Sequence, residues 1–292
     1  MPEKKLYKGY DVKQLNAQYN CRAMVPDHAN ILAKLKKHNL AVLSEYEVRI
    51  DISYGLSKEE TLDIYMPTNS NYKTAPINIY LHGGYWHSRD KSDFSFLAKG
   101  LVPSGAILIV VNYALIPSVD IDEIVSQCRK AVAWSYRNAL SFGGDKDKIY
   151  VSGHSAGGQL TAMMMATNWS AFESDLPIAL VKGGTAISGI YDLTPISMSF
   201  MQKTLGFTSD QILRNSPEFQ LPYTNAPIIL CVGGDESVEF QRQSEVLSGV
   251  WQKKTECTLM KLEGINHFTI LGEFSNKKSI LAQAIQKQMG LN

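Results

Sequence analysis

From about residue 76 to its end, the chain alternates short apolar runs with longer segments whose apolar side chains have helical spacing. Residues 106–111 are continuously apolar, which is typical of a strand covered on both faces. The next segment, 121–132, has helical spacing, and Asp120 with Glu123 at its start resembles a capping box. Because strands joined through helices pair in parallel, this alternation predicts a mostly parallel sheet with helices on both faces.

An eight-stranded sheet is expected from the whole pattern. Residues 48–52 and 62–66 have alternating apolar side chains, and they are predicted to form an antiparallel pair ahead of the parallel strands. The remaining strands are predicted at 77–81, 106–111, 148–152, 183–188, 227–232 and 256–262, with further helices at 156–167, 239–253 and 278–290.

The chain, residues 1–292, is interpreted as a single α/β domain, since it contains no repeat or linker and such domains often exceed 250 residues. Two segments lie outside the strand–helix alternation. Residues 1–45 are polar and favour helices, and residues 193–221 are too long for a plain connection. Both are predicted to form a small helical cap over the C-terminal edge of the sheet, where ligands bind in α/β folds.

Composition excludes several classes of function. The net charge is +1 and the basic residues are scattered, so the basic stripe of a nucleic-acid-binding protein is missing. The apolar runs are too short to span a bilayer, and the first eight residues lack the apolar core of a secretory signal. The cysteines lie far apart, which favours reduced thiols in a cytoplasmic protein over a disulfide or metal framework. They are Cys21, Cys128, Cys231 and Cys257.

The strongest chemical signal is the sequence Gly-His-Ser-Ala-Gly at 153–157, between a predicted strand and a predicted helix. In the α/β-hydrolase fold, a serine in this context lies on a strained turn whose small neighbours leave its hydroxyl exposed above the sheet. The amide of Ala156 would then point at a developing oxyanion. The pattern predicts that Ser155 is a nucleophile, and its alternative interpretation is an ordinary glycine turn.

A second signal, His-Gly-Gly-Tyr-Trp at 82–86, directly follows the third predicted strand. Hydrolases of the lipase and esterase type carry an oxyanion loop at this position, and its glycines let the backbone approach the substrate. Gly83 and Gly84 are therefore predicted to donate hydrogen bonds to an oxyanion. Tyr85 and Trp86 are predicted to form a substrate wall, although aromatic residues at such positions are often part of the core.

A serine nucleophile needs a neighbouring base. Of the six histidines only His267 follows Ser155 in the chain, as the order of triad residues in this fold requires, so His267 is the predicted base. His82 is interpreted as a structural hydrogen-bonding residue. His154 adjoins the nucleophile and is expected to point elsewhere.

The base in turn needs a carboxylate that orients it. Asp235 is the first carboxylate after the strand predicted at 227–232, and it is the predicted acid. Glu236 and Glu239 are close alternatives, and Asp192, after the preceding strand, is a rival.

Several segments together resemble those of a known family. They are HGGYW at 82–86, GHSAG at 153–157, SGIYDL at 188–193, RNSP at 214–217, DES at 235–237 with EF at 239–240, and NHF at 266–268. This combination is similar to the kynurenine formamidase (arylformamidase) family, over a range from the third strand nearly to the C-terminus. Residues 18–20 and 25–27 look more like bacterial members, many of which are described only as esterases.

The resemblance implies the triad Ser155, Asp235 and His267, with oxyanion donors at Gly83, Gly84 and Ala156. It also implies hydrolysis of N-formyl-kynurenine, an aromatic amide that carries an amino-acid head group. The sequence assigns no group to the carboxylate of that head, and Arg89 is interpreted as a surface residue.

The sequence is therefore compatible with two enzymatic functions and with one function in binding. The first is an arylformamidase, and the alternative is a carboxylesterase for short acyl esters. A third, a binding protein on a hydrolase scaffold, is disfavoured because a nucleophile, a base and an acid are all present. The expected partner is a small ester or amide substrate, with no metal or organic cofactor, no nucleic acid and no membrane. A homodimer is possible from the general frequency of two-fold assemblies.

Overall fold

A computed structural model describes residues 5–68 and 74–291. An eight-stranded sheet forms its centre, with the strand order β1-β2-β4-β3-β5-β6-β7-β8. The strands are β1 (Glu47–Ser53), β2 (Thr61–Met66), β3 (Ala75–Leu81), β4 (Ile107–Val111), β5 (Gly144–His154), β6 (Val181–Ile187), β7 (Ile228–Gly233) and β8 (Cys257–Leu262).

The direction of each strand follows the pattern of its sequence. β2 pairs antiparallel with both β1 and β4, and every other neighbouring pair is parallel. β3, β4 and β7 are buried along their whole length, as strands are when helices cover both faces of a sheet. The predicted mostly parallel α/β sheet is confirmed, including the antiparallel pair at its start.

Helices cover both faces of this sheet. They are α1 (Val12–Tyr19), α2 (Cys21–Met24), α3 (His28–Glu45), α4 (Ala98–Leu101), α5 (Ile121–Asn138), α6 (Ala156–Met165), α7 (Trp169–Phe172), α8 (Thr194–Ser197), α9 (Gln202–Leu205), α10 (Ser209–Asn215), α11 (Val238–Trp251), α12 (Ile270–Ser275) and α13 (Ile280–Gln288). Two buried apolar clusters, one with most of the sheet residues and α5–α6 and one with α4, α12 and α13, form the core.

The start of α5 differs in one detail from the predicted capping box. The Asp120 side chain accepts a hydrogen bond from the Glu123 amide, as an N-cap residue should. The Glu123 side chain instead accepts from Gln127, one turn further along the helix. The helix is thus capped by a single side chain at its N-terminus.

The parallel strands place their C-terminal ends along one edge of the sheet. β3, β5, β7 and β8 end at Leu81, His154, Gly233 and Leu262, and the loops after them contain the residues predicted to act on the substrate. Segment 193–221 is folded into short helices, and segment 5–45 into two short helices and the 18-residue helix α3. Both segments contribute side chains to a cavity at this edge.

Two further observations bear on the predictions from composition. All four cysteines have free thiols. Within residues 5–68 and 74–291, no helix combines the length and apolar character that crossing a bilayer requires.

Candidate active site

Ser155 lies on the turn between β5 and α6, with backbone angles φ 58° and ψ −120°. A non-glycine residue with positive φ is uncommon, and here surrounding contacts hold it in place. Its amide donates to the carbonyl of Ile187 on the neighbouring strand. A methyl group at Gly157 would overlap the carbonyl oxygen of Leu81, so only glycine permits α6 to approach β3 this closely. The sequence signal at 153–157 therefore has the strained strand–turn–helix geometry that it predicted.

His267 lies in the loop between β8 and α12. Asn266 holds this loop, because its side chain accepts hydrogen bonds from the amides of Phe268 and Thr269, both at 3.0 Å. The Nε2 atom of His267 lies 3.1 Å from the Ser155 hydroxyl oxygen. The structure thus brings together the two residues predicted as base and nucleophile, which are 112 positions apart in the chain.

The carboxylate that contacts His267 is Glu236, and the prediction of Asp235 for this position is wrong. Oε2 of Glu236 lies 2.6 Å from Nδ1 of His267, while Oε1 accepts from the Gly233 amide at 2.8 Å and from the Ser188 hydroxyl at 2.5 Å. Asp235 is exposed, and its amide donates to the carbonyl of Ile265. The turn after β7 therefore directs the first carboxylate outward and the second, which is longer by a methylene group, inward.

The other candidate carboxylates have different partners. Asp192 is buried, and it accepts hydrogen bonds from the Tyr7 hydroxyl and the Thr194 amide, at 2.9 and 2.8 Å. Glu239 forms a salt bridge with Arg242 at 2.8 Å. Their burial reflects a polar network beneath the N-terminal segment, and neither takes the place beside His267.

The electrostatic surroundings of the two adjacent histidines are opposite. Burial lowers the pKa of His267, but Cys21 and the Glu236 carboxylate raise it, and the net result is a pKa above the ordinary 6.5. For His154, burial and the neighbouring His267 both lower the pKa well below 6.5. The His154 ring lies beside the His267 ring, with centroids 4.5 Å apart, so it does not point away from the site as expected. The lowered pKa of His154 favours a neutral ring beside His267.

Two of the residues predicted as oxyanion donors, Gly83 and Ala156, lie next to Ser155, and Gly84 follows Gly83. A methyl group at Gly83 would lie 3.0 Å from the Ser155 Cβ, which places this backbone directly beside the nucleophile. Gly84 has φ 125°, and a side chain there would overlap the Ser88 carbonyl. Ala156 begins α6, and the first amides of a helix have no partner within it. These backbone positions suit an oxyanion hole next to Ser155.

His82 supports the same loop from the core. Its ring is buried between Tyr113 and Phe94, with centroid distances of 4.2 and 5.7 Å, and both ring pairs are stacked. Its Nδ1 lies 2.8 Å from the Gly83 carbonyl. His82 therefore has the structural role that the sequence suggested.

The two aromatic residues after the glycines have different environments. Tyr85 lines the cavity, and its hydroxyl donates to the carbonyl of Tyr19 at 2.6 Å. Trp86 is fully buried, and its indole N–H donates to Gln159 at 3.0 Å. The prediction that Trp86 contacts substrate is wrong, because its ring is directed into the core and packs against Phe207. A single aromatic residue of the pair is left to face the cavity.

Ser155, His154 and His267 lie in the wall of a cavity of about 450 Å³. The volume suits a small molecule such as an aromatic amide or ester. Its apolar walls come from the covering segments, from the loop after β3 and from α12: Phe94, Phe96, Phe200, Met201, Phe268 and Leu271.

A sheet of this topology, with a serine on a strained turn and a histidine and a carboxylate in line behind it, defines an α/β-hydrolase. The BD-FAE family model matches residues 62–249, so the chain belongs to that family, in its kynurenine formamidase-like branch. It is 32% identical to a kynurenine formamidase of Danio rerio over 89% of this chain and 88% of the relative. It is 34% identical to a kynurenine formamidase of Salmo salar over 82% of each chain.

A solved structure described as a candidate thioesterase of Silicibacter sp. TM1040 has the same fold. Its TM-score with this chain is 0.78 at 26% sequence identity, and the match covers 94% of this chain and 99% of that one. The predicted family resemblance is therefore confirmed at the level of the family.

Proposed function

We propose that this protein is a serine hydrolase that removes a small acyl group from an aryl amide, and that its substrate is N-formyl-kynurenine or a close analogue. One observation carries the proposal: the Ser155, His267 and Glu236 side chains form a continuous hydrogen-bonded chain, and Ser155 and His267 line a cavity with aromatic walls. The similarity to kynurenine formamidases over most of the chain supports the choice of amide.

In the proposed mechanism, His267 accepts the proton of the Ser155 hydroxyl as its oxygen attacks the acyl carbon. Glu236 holds the ring with Nδ1–H directed at its carboxylate, so that Nε2 is free to act as the base, and it stabilises the imidazolium that forms. The oxyanion of the tetrahedral intermediate is placed beside the amides of Ala156 and of Gly83 or Gly84.

Collapse of that intermediate breaks the bond to the leaving arylamine, which takes its proton from His267. A water molecule then gives a proton to His267 as its oxygen attacks the acyl-serine. Collapse of this second intermediate breaks the bond to the Ser155 oxygen, which takes the proton back from His267, and formic acid leaves and ionises to formate.

A carboxylesterase for short acyl esters remains the second candidate. The cavity of about 450 Å³ also has room for a small ester, and the structural neighbour from Silicibacter is described as a candidate thioesterase. An ester would use the same three side chains, since only the leaving atom differs.

The two candidates are separated by comparing hydrolysis of N-formyl-kynurenine with that of p-nitrophenyl acetate, with Ser155→Ala as the control. We expect a kcat/KM of about 10⁴ M⁻¹s⁻¹ or more for the formamide. Rapid ester cleavage with a negligible formamide rate would contradict the formamidase proposal and favour the esterase. Activity of Ser155→Ala close to that of the wild type would contradict both. The cytoplasmic location and the homodimer stay predictions.

A further inference from the structure

The cavity that contains Ser155 has an excess of positive charge at its walls. Its charged lining residues among the described part of the chain are Arg22, Lys36, Arg89 and Asp93. Three cations therefore face one carboxylate. A cavity with this balance favours a substrate that carries a negative charge, because a charged group in a partly desolvated cleft is stabilised by an opposite charge nearby.

Arg89 lies beside the glycines that follow β3. Its Cγ atom would lie 2.9 Å from a methyl group at Gly84, so its aliphatic part crosses the backbone of the oxyanion loop. The positive charge of Arg89 also helps to lower the pKa of His154, the neighbour of Ser155. The backbone of Arg89 has φ 83°, a conformation that is costly for a non-glycine residue and that is concentrated at functional sites.

The guanidinium of Arg89 is only loosely paired. Asp93 holds Lys36 at 2.6 Å, whereas Arg89 lies 3.7 Å from the other carboxylate oxygen. A charge-assisted hydrogen bond is usually 2.7–2.9 Å long, so the longer contact leaves N–H groups of Arg89 available. Its side chain is 31% exposed, which lets a substrate in the cavity reach it. A planar guanidinium binds a carboxylate through two parallel hydrogen bonds.

We propose that Arg89 recognises a carboxylate on the leaving part of the substrate and so determines which acylated arylamines are hydrolysed. This inference rests on the proposed function, because it assigns the head-group carboxylate of that substrate to a residue. It also replaces the interpretation of Arg89 as a plain surface residue.

The test compares two formamides that differ only in the head group. N-formyl-kynurenine carries the amino-acid group, and 2-formamidoacetophenone has the same formamide, ring and ketone without it. The ratio of their kcat/KM values is measured for the wild type, Arg89→Gln and Arg89→Lys. Arg22→Gln tests another cation of the cavity, and Arg49→Gln is a matched control on an exposed strand.

We expect the ratio to fall about 10- to 100-fold in Arg89→Gln, mainly through KM, because a charged hydrogen-bond donor is removed. The ratio for Arg89→Lys should lie between those of the wild type and Arg89→Gln, since an ammonium group keeps the charge but cannot form two parallel hydrogen bonds with a carboxylate. Arg49→Gln should keep the wild-type ratio. A ratio in Arg89→Gln within about threefold of the wild type, or a loss confined to Arg22→Gln, would overturn the proposal.

A binding measurement keeps this inference separate from the proposed reaction. Ser155→Ala protein is titrated with kynurenine and with 2-aminoacetophenone in a calorimeter, with and without Arg89→Gln. Tighter binding of kynurenine that is lost with Arg89→Gln would support the role of Arg89 even if neither formamide were hydrolysed. Equal affinities for the two amines would overturn it, whereas failure to hydrolyse either formamide would contradict the proposed function alone.

Discussion

The edge of the sheet and the segments that cover it build the candidate site in different ways. The edge supplies the groups proposed to react, which are Ser155, His267 and Glu236, each in a short loop fixed by neighbouring strands. The covering segments 5–45 and 193–221 supply cavity walls such as Phe200 and Met201.

This contrast suggests that the edge of the sheet determines the rate of the chemical step and that the covering segments determine which substrates bind. The loops at the edge are tied by backbone hydrogen bonds to β6, β7 and β8, so the distances among the reacting groups depend on the sheet. The amide of Phe200 donates a hydrogen bond to the Asn16 side chain, and the residue is 47% exposed. Changes at the edge should therefore alter kcat most strongly, and changes in the cover should alter KM and substrate choice.

The largest effect should come from the carboxylate behind His267. Glu236→Gln keeps the shape of the side chain but removes the charge that stabilises the imidazolium, so kcat should fall on the order of 10³- to 10⁴-fold. Asp235→Asn, one residue earlier, should stay within a few-fold of the wild type because Asp235 is exposed. Steady-state kinetics on one substrate measures kcat for both variants. Equal losses in the two variants would contradict the assignment of Glu236.

Ser155 and His267 could be predicted from the sequence because each is marked by a clear pattern in it. A G-x-S-x-G between a strand and a helix forces the strained turn, and His267 is the sole histidine after it. The choice between Asp235 and Glu236 could not be made from the sequence, because the two residues are consecutive in a loop that has no periodic pattern. Which of them faces inward depends on the Asp235 amide bonding to Ile265, a contact between distant loops.

The sequence predicts the fold better than it predicts the environment of individual side chains. Continuously apolar strands such as Ile107–Val111 identify a sheet covered on both faces, and the structure confirms them. Trp86 was misassigned because its sequence position beside the oxyanion glycines says nothing of the direction of its ring. Its burial depends on Gln159 and Phe207, which are distant in the chain.

A change at the edge should also affect stability. Gly157→Ala adds a methyl group that overlaps the Leu81 carbonyl, so α6 must move away from β3, and the free energy of unfolding should fall by about 1–3 kcal/mol. Gly249 is the matched control, because it lies in α11 with open space at its Cβ. Gly249→Ala should stabilise by up to about 1 kcal/mol. Thermal unfolding of both variants tests this, and a Gly157→Ala protein as stable as the wild type would refute the packing argument.

A smaller effect is expected from the cover. Phe200→Ala removes an apolar wall without a core cavity, so KM for an aromatic substrate should rise about 10-fold while kcat changes little. Phe219→Ala is the control, since Phe219 is 49% exposed and belongs to a different turn of the same segment. A fall in kcat with an unchanged KM would mean that the cover takes part in the chemical step.

The smallest expected effect is a shift in the pH profile. In the proposed mechanism His267 must be neutral to accept a proton, and its pKa is raised, so kcat/KM should fall as pH decreases through an apparent pKa above 6.5. Removing the Glu236 charge should lower this apparent pKa, and removing the exposed Asp235 charge should change it less. The pH dependence of kcat/KM for Glu236→Gln and Asp235→Asn measures the difference. An acidic limb below 6.5 in the wild type would contradict the electrostatic description of the site.

Covalent labelling tests the central claim most directly. The protein is treated with a fluorophosphonate that carries a reporter, and the modified peptide is identified by mass spectrometry. We predict a single adduct on Ser155, absent in Ser155→Ala, slower to form in Glu236→Gln and unchanged in rate in Asp235→Asn. An unlabelled wild-type protein, or an adduct on another residue, would contradict the claim that Ser155, His267 and Glu236 act as one catalytic unit.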